Sequence, residues 1–370
     1  PASYTRTLNG ITGATDQLSG GISLGDAWRP TARLQVQYGV RADANRFLYR
    51  PQNNPEIRSL FGVDNDYVPN AVYFSPRVGM QWTYGNSPQV AFAPGAARPP
   101  LAVIHAGIGI FQNVGPATLI NSSVVNTGLP NSTRSLACVG SGAPIPDWDS
   151  YNRDLGTLPT TCADGTSGTV FSTGAPSVVA FDRNYRQPKS VRSAVDWSSP
   201  ILDNRFVLGA QGVYSLNLNQ TGSVDLNFDP TTRFTIDNEG GRPVYAPATA
   251  IVPTTGNVAS VATRRSDKYQ RLSLQTSDLR STSTNFVFKL VPVTANKYLK
   301  WQLTYSLLDV RDQFNGFSST VGDPFAKEWG PHLASGRHQF QLIWSSLPLW
   351  DLMYFNVAVG VKSGQRFTPL

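Results

Sequence analysis

The sequence predicts an all-β chain that crosses a membrane as an antiparallel, up-and-down barrel wall of about ten strands. Three observations predict it: period-two alternation along most of the chain, long polar connections alternating with short proline-marked ones, and tryptophans gathered at the short-turn ends. Composition narrows the classes. Of 370 residues only 15% are charged, 11% are aromatic, and the net charge is +7, where a soluble domain carries about 25% charge. Aromatic and aliphatic content this high excludes disorder, and two cysteines exclude a disulfide-stapled mini-protein. The absence of any run of about 18 uninterrupted apolar residues excludes a helical span. A soluble all-β protein is the remaining alternative.

The strands follow in order. Leu34, Val36, Tyr38 and Val40 alternate with Arg33, Gln35, Gln37 and Arg41, and Val78, Met80 and Trp82 with Arg77, Gly79 and Gln81. Phe206, Leu208, Ala210, Tyr214, Leu216 and Leu218 share a face, as do Trp301, Leu303, Tyr305 and Leu307. Phe340, Leu342 and Trp344 oppose Gln339, Gln341 and Ser345, and Met353, Phe355, Val357, Val359 and Val361 form the last apolar row. Each pattern gives one apolar and one polar face. The predicted strands are 19–27, 33–43, 75–84, 101–111, 186–197, 205–218, 269–291, 298–309, 337–346 and 351–361. In the long seventh strand Leu272, Leu274, Phe286, Phe288 and Leu290 all sit in one phase, so a single face with no register slip is expected.

Short connections are expected at Trp28–Thr31, Pro88–Pro100, Ser199–Pro200, Pro292–Asn296 and Leu347–Leu349, and long polar loops at 44–74, 112–185, 219–268 and 310–336. Loops above about 15 residues are uncommon in compact soluble domains. Long loops on one side and short turns on the other suit an outer-membrane barrel. Six of the eight tryptophans (Trp28, Trp82, Trp197, Trp301, Trp344, Trp350) lie near short-turn ends, where a bilayer interface accommodates both the indole body and its N–H. Residues 1–370 read as one barrel domain without a plug. Pro1 in place of a starting methionine, with no basic and apolar leader after it, suggests a piece of a longer protein.

The run from Ala27 through Trp28, Pro30, Arg33, Leu34, Tyr38 and Gly39 to Arg41 resembles the periplasmic hairpin of TonB-dependent receptors, D-x-W-x-P-x-x-R-L-x-L-x-Y-G-L-R. Phe74-Ser75-Pro76-Arg77-Val78-Gly79 resembles the F-S-P-R-L-G strand start that follows it. Tyr269–Leu274, Trp301–Ser306, Gly336–Phe340 and Ser363-Gly364 with Phe367-Thr368 are similar to the later half, most of all in the Oar-like subgroup. The resemblance implies a barrel of about 22 strands with a plugged lumen, of which this chain supplies about ten. It also implies a Gram-negative outer membrane with its lipid and lipopolysaccharide as surroundings, a TonB complex engaged through a plug outside this sequence, and a ligand captured by outer loops.

Candidate residues fall into groups. Arg33, Arg41, Arg77, Arg192, Arg205, Arg271, Lys289, Lys300 and Arg337 lie in the inward phase, where Asp43 and Asp196 are the clearest acids. They either pair with plug carboxylates or draw anionic ligands through a positive field. Tyr49, Tyr67, Tyr73, Trp148, Tyr151, Tyr245, Phe317 and Trp329 lie in long loops and are available to stack on a ligand, or simply to pack those loops together. Cys138 and Cys162 share one outer loop, and an oxidising surface favours a disulfide between them. His105, His332 and His338 have no partner at metal-ligand spacing. Asp64-Asn65-Asp66 and Asp147-Trp148-Asp149 read as turns rather than calcium loops. No metal, cofactor or nucleic-acid partner is expected, and no catalytic motif appears. A receptor or transporter is the leading expectation. The alternatives are a surface adhesion barrel and a ten-stranded outer-membrane hydrolase using Asp309, Asp312 and His338.

Overall fold

The computed structural model describes residues 3–9, 13, 15–86, 101–112, 115, 117–163, 175–231, 233–251, 260–293, 300–315, 325–332, 336–349 and 353–364. Ten principal strands form one sheet: β2 (Gln17–Thr31), β3 (Leu34–Phe47), β4 (Ala71–Tyr84), β5 (Ala102–Gln112), β8 (Lys189–Ile201), β9 (Phe206–Asp225), β12 (Arg271–Pro292), β13 (Lys300–Asn315), β15 (His338–Leu349) and β16 (Met353–Lys362). The intervening numbers belong to short strands: β1 (Ser3–Asn9), β6 (Arg134–Val139), β7 (Ser177–Phe181), β10 (Phe234–Ile236), β11 (Arg242–Val244) and β14 (Lys327–Pro331). Among the described residues three α-helices, α1 (Pro55–Phe61), α2 (Ala117–Val125) and α3 (Trp148–Arg153), lie in the long loops. Each principal strand pairs antiparallel with the next in the chain, and among the described residues the outer edges of β2 and β16 have no partner strand.

Cross-strand register brings the apolar phases together. Leu24 faces Val40, Val36 faces Met80, and Val78 faces Ile108. Ile104 then faces Trp197, Leu208 faces Leu290, Phe288 faces Tyr305, Leu303 faces Leu342, and Phe340 faces Val361. The result is a largely apolar surface across ten strands, and no second protein layer covers it among the described residues. Ile22 and Leu24 are 77% and 78% exposed, and Tyr214 and Phe355 are 45% and 46% exposed. A soluble protein rarely leaves an apolar patch of this extent in water. A bilayer is the solvent that suits it, and closed antiparallel sheets are the β form that a bilayer admits.

The buried apolar core sits at one end. Phe47, Val68, Ile120, Phe181 and Tyr185 form one cluster, and Ile57, Val178, Tyr269 and Leu272 a second. These residues come from three loops and the strand ends, so the expected polar loops are in fact a folded cap. Local sequence builds α1: Asn54 caps the helix by accepting from the Glu56 N–H at 3.2 Å, Pro55 opens it, and Gly62 closes it at φ 74°. In the cap β7 pairs in parallel with the upper end of β12. The predicted disulfide between Cys138 and Cys162 forms, beside the β1–β6 pair.

Some expectations need correction. Ser199-Pro200 and Leu347-Pro348-Leu349 are not turns: Pro200 faces Val207 and Pro348 faces Tyr354 inside their ladders. Both prolines stand near a hairpin end, where loss of one donor disturbs the sheet least. The β8–β9 turn falls instead at Leu202, Asp203 and Asn204, all with positive φ. The ladder of β12 to β9 is locally irregular between Thr276 and Ser281, opposite Asn219 at φ 56°, and regains the same register beyond it. Above that point Leu272 and Leu274 are buried in the cap; below it Phe286 and Phe288 are exposed on the apolar surface. The short connection at Pro88–Pro100 lies outside the described residues.

Candidate functional site

The inner face of the wall is polar and follows the opposite phase of every strand. One row of register partners runs Gly25, Gly39, Arg77, Gly109, Arg192, Ser215 and Ser283 from β2 to β12. Around its first half Gly25, Gly39, Gly79, Gly107 and Gly109 line an open concavity of about 710 Å³, with Arg77, Arg192 and Phe111 on its lining. Close approach requires glycine at position 39, where a Cβ would stand 2.7 Å from the Leu24 carbonyl oxygen. These glycines were not singled out in the sequence. Their shared phase with the arginines is the signal that points to them.

The predicted basic residues divide by partner. Arg41 is paired with Asp43 at 2.8 Å, and Arg271, in the cap portion of β12, with Asp225 at 3.4 Å. The Arg77 guanidinium lies 4.5 Å from the centre of the Phe111 ring, and Arg192 Nε donates to Ser215 Oγ at 3.2 Å. Arg33 donates to Asn86 at 3.1 Å in the β2–β3 turn region. Lys289, facing Gly209 and Thr304, and Lys300, facing Ser345, are exposed on neighbouring strands. Arg205 and Arg337 flank strand ends, and their carbonyls accept from Val293 and Leu308.

The cap is held by a buried polar network. Asn54 Nδ2 donates to the Thr127 carbonyl and to Tyr269 Oη, each at 3.1 Å, and Tyr269 Oη donates to Glu56 at 2.7 Å. Lys268 pairs with the same carboxylate. Fully buried Asn227 donates to the carbonyls of Ser266 and Tyr269 and accepts from the Ser266 N–H. Burial first, and the Glu56 hydrogen bond second, push the Tyr269 phenol up to about 12. Lys268 and then Tyr269 hold the Glu56 carboxyl below its usual range, while Arg183 and Arg58 do the same for Asp64.

The eight aromatic candidates do not gather at one place. Tyr67 packs on the first cap cluster, Tyr245 is buried edge-on to Phe228, and Tyr73 is half-buried on the inner face of β4. Trp148 and Tyr151 meet edge-to-face at 6.0 Å on α3, Tyr49 and Trp329 are exposed, and Phe317 lies outside the described residues. Two histidines have carboxylate partners that sequence spacing concealed: His105 stands 3.6 Å from its register partner Asp196, and His332 contacts Asp312. His338 shares a hydrogen bond with Tyr305 at 2.8 Å, and Asp309 lies 3.5 Å from Arg311. Asp312 and His338 thus engage different partners, His332 and Tyr305. Among the described residues no three His, Cys, Asp or Glu side chains converge on a metal position.

An antiparallel meander with a lipid-compatible exterior, a polar interior and a folded cap at one end has the fold of a transmembrane β-barrel wall. A scan against known protein families finds no match, and a search of curated proteins finds none either. Among solved structures the chain is similar to the siderophore receptor PirA from Pseudomonas aeruginosa, at 12% identity and TM-score 0.36, covering 93% of this chain and 41% of that one. It is also similar to the outer membrane transporter YddB from Escherichia coli, at 9% identity and TM-score 0.38, covering 93% and 39%. A third is the FrpB iron transporter from Neisseria meningitidis, at 6% identity and TM-score 0.31, covering 94% and 47%. The chain spans less than half the length of each.

Proposed function

We propose that this chain is part of the barrel of a TonB-dependent outer-membrane receptor, of the Oar-like kind that its β2–β3 hairpin resembles. Neighbouring strands complete the cylinder along the free edges of β2 and β16, because unpaired backbone in lipid is costly. The cap end faces the cell exterior and captures ligand, and passage follows the polar inner face past a plug that TonB rearranges. The observation that carries this reading is the two-faced wall, with a largely apolar surface outside and arginine, serine and glycine inside. Uptake of a defined solute by cells expressing the full-length protein is the test. Uptake that stops when TonB is deleted supports the reading, and uptake indifferent to TonB refutes it.

One observation favours a second reading, a surface adhesion barrel. Ile145, Trp148 and Leu155 are 84%, 68% and 71% exposed in the loop that the disulfide closes, three large apolar side chains turned to water. Cell-to-cell adhesion lost on substituting Trp148, with TonB-dependent uptake absent, would select it.

A further inference from the structure

We propose that the inner wall carries an oxyanion site at Arg77 and Arg192, built to take carboxylates. Arg77 faces Gly109 across the β4–β5 ladder, and Gly109 faces Arg192 across the β5–β8 ladder. Position 109 has no side chain, and the two groups nearest to where its Cβ would stand are Arg77 Cγ at 2.8 Å and Phe111 Cε2 at 3.3 Å. Arg77 therefore lies over the glycine between the two arginine strands, with its guanidinium on the Phe111 ring. Arg192 is steadied by its bond to Ser215. Both line the same concavity; neither is in ion-pair contact with a carboxylate among the described residues, and Arg77 attracts Asp43 only through space.

The surroundings sharpen the contrast. Asp43, two rows up on β3, is bound by Arg41 and also feels the charge of Arg77. Asp26 is the one acid among the described lining residues; it lies in the outward phase and accepts from the Tyr38 hydroxyl at 3.2 Å. Two cations thus share a concavity with no carboxylate in ion-pair contact with either, Asp43 offsetting Arg77 only in part, so an added anion is attracted. Guanidinium groups offer planar forks that fit carboxylates bidentately, and the glycines leave room for the ligand to reach the wall backbone. The chemistry fits a small di- or tricarboxylate solute, or the Asp and Glu carboxylates of a polypeptide that fills the cylinder. The site deepens the receptor reading and rests on it in one respect, that this face lines a watery lumen.

The test is arginine-selective modification of the purified full-length protein with phenylglyoxal, mapped by mass spectrometry, with citrate as probe and exposed Arg29 as internal reference. If a free solute is the ligand, Arg77 and Arg192 react, and citrate at about ten times its dissociation constant slows both about tenfold without changing Arg29. If the protein's own carboxylates fill the site, both are unreactive from the start and become reactive once carboxyl groups are amidated. Free reaction of both without protection by citrate up to about 10 mM overturns the proposal, as does unreactivity that amidation leaves unchanged. Failure here leaves the receptor reading standing, because TonB dependence is read by uptake in cells and not by arginine reactivity.

Discussion

Replacing Ile108 by arginine separates a wall bathed in lipid from one bathed in water. Ile108 is 52% exposed on the apolar face, four residues above Ile104, which pairs with both Trp82 and Trp197. Four residues span about 13 Å of strand, or about 10 Å of height at a tilt of roughly 40°, close to the middle of an apolar band about 25 Å tall. Arginine at that depth costs about 2–4 kcal/mol. In water the same change removes about half the burial of one isoleucine, about 1 kcal/mol. Gln211→Arg is the control, since Gln211 is exposed on the inner face opposite Asp196, and its expected effect is within about 0.5 kcal/mol. The assay is reversible urea unfolding of the full-length protein in lipid vesicles, followed by tryptophan fluorescence. A cost for Ile108→Arg no greater than about 1 kcal/mol, or equal to that of Gln211→Arg, refutes the membrane assignment.

Three further outcomes are expected. Replacing Cys138 and Cys162 by serine loosens a segment closed over 24 residues, at about 3 kcal/mol in the chain-entropy model; limited proteolysis then cuts between 134 and 163 while the strand content by circular dichroism stays constant. Gly39→Val drives a side chain against the Leu24 carbonyl and lowers the unfolding free energy by about 1–3 kcal/mol, read as a shifted urea midpoint. Cap stability falls at both pH extremes. The raised Tyr269 phenol contributes stability below its unfolded value near 10, and this is lost as pH rises toward about 12; the depressed Glu56 and Asp64 carboxyls contribute above the usual carboxylate range, and this is lost as pH falls below it. Hydrogen exchange of α1 across pH checks both limbs, and Tyr269→Phe removes the alkaline one.

The ten strands were legible because a lipid-facing wall writes its two faces into every second residue, so Leu24, Val40, Val78 and Ile108 each announce their phase locally. The cap was not, because its core is assembled from residues far apart in sequence, such as Ile57, Val178 and Leu272, with no shared period. Part of it was nonetheless readable: Asn54-Pro55-Glu56 followed by Gly62 is a local helix signal inside what looked like a plain loop. The parallel β7–β12 pair and the local irregularity opposite Asn219 depend on tertiary placement and leave no periodic trace. On the inner wall the phase of Arg77 and Arg192 was visible from alternation. The pairings of Arg271 with Asp225 and His105 with Asp196 needed the register itself.

The position of the apolar core has a thermal consequence. The cap, organised around Phe181 and Ile57, is built as a water-soluble domain is, so its cohesion draws on hydration entropy and weakens on cooling. The ladders of the wall, whose apolar side faces hydrocarbon, draw far less on that contribution. Chilling therefore slackens the mouth of this molecule while leaving its staves in place.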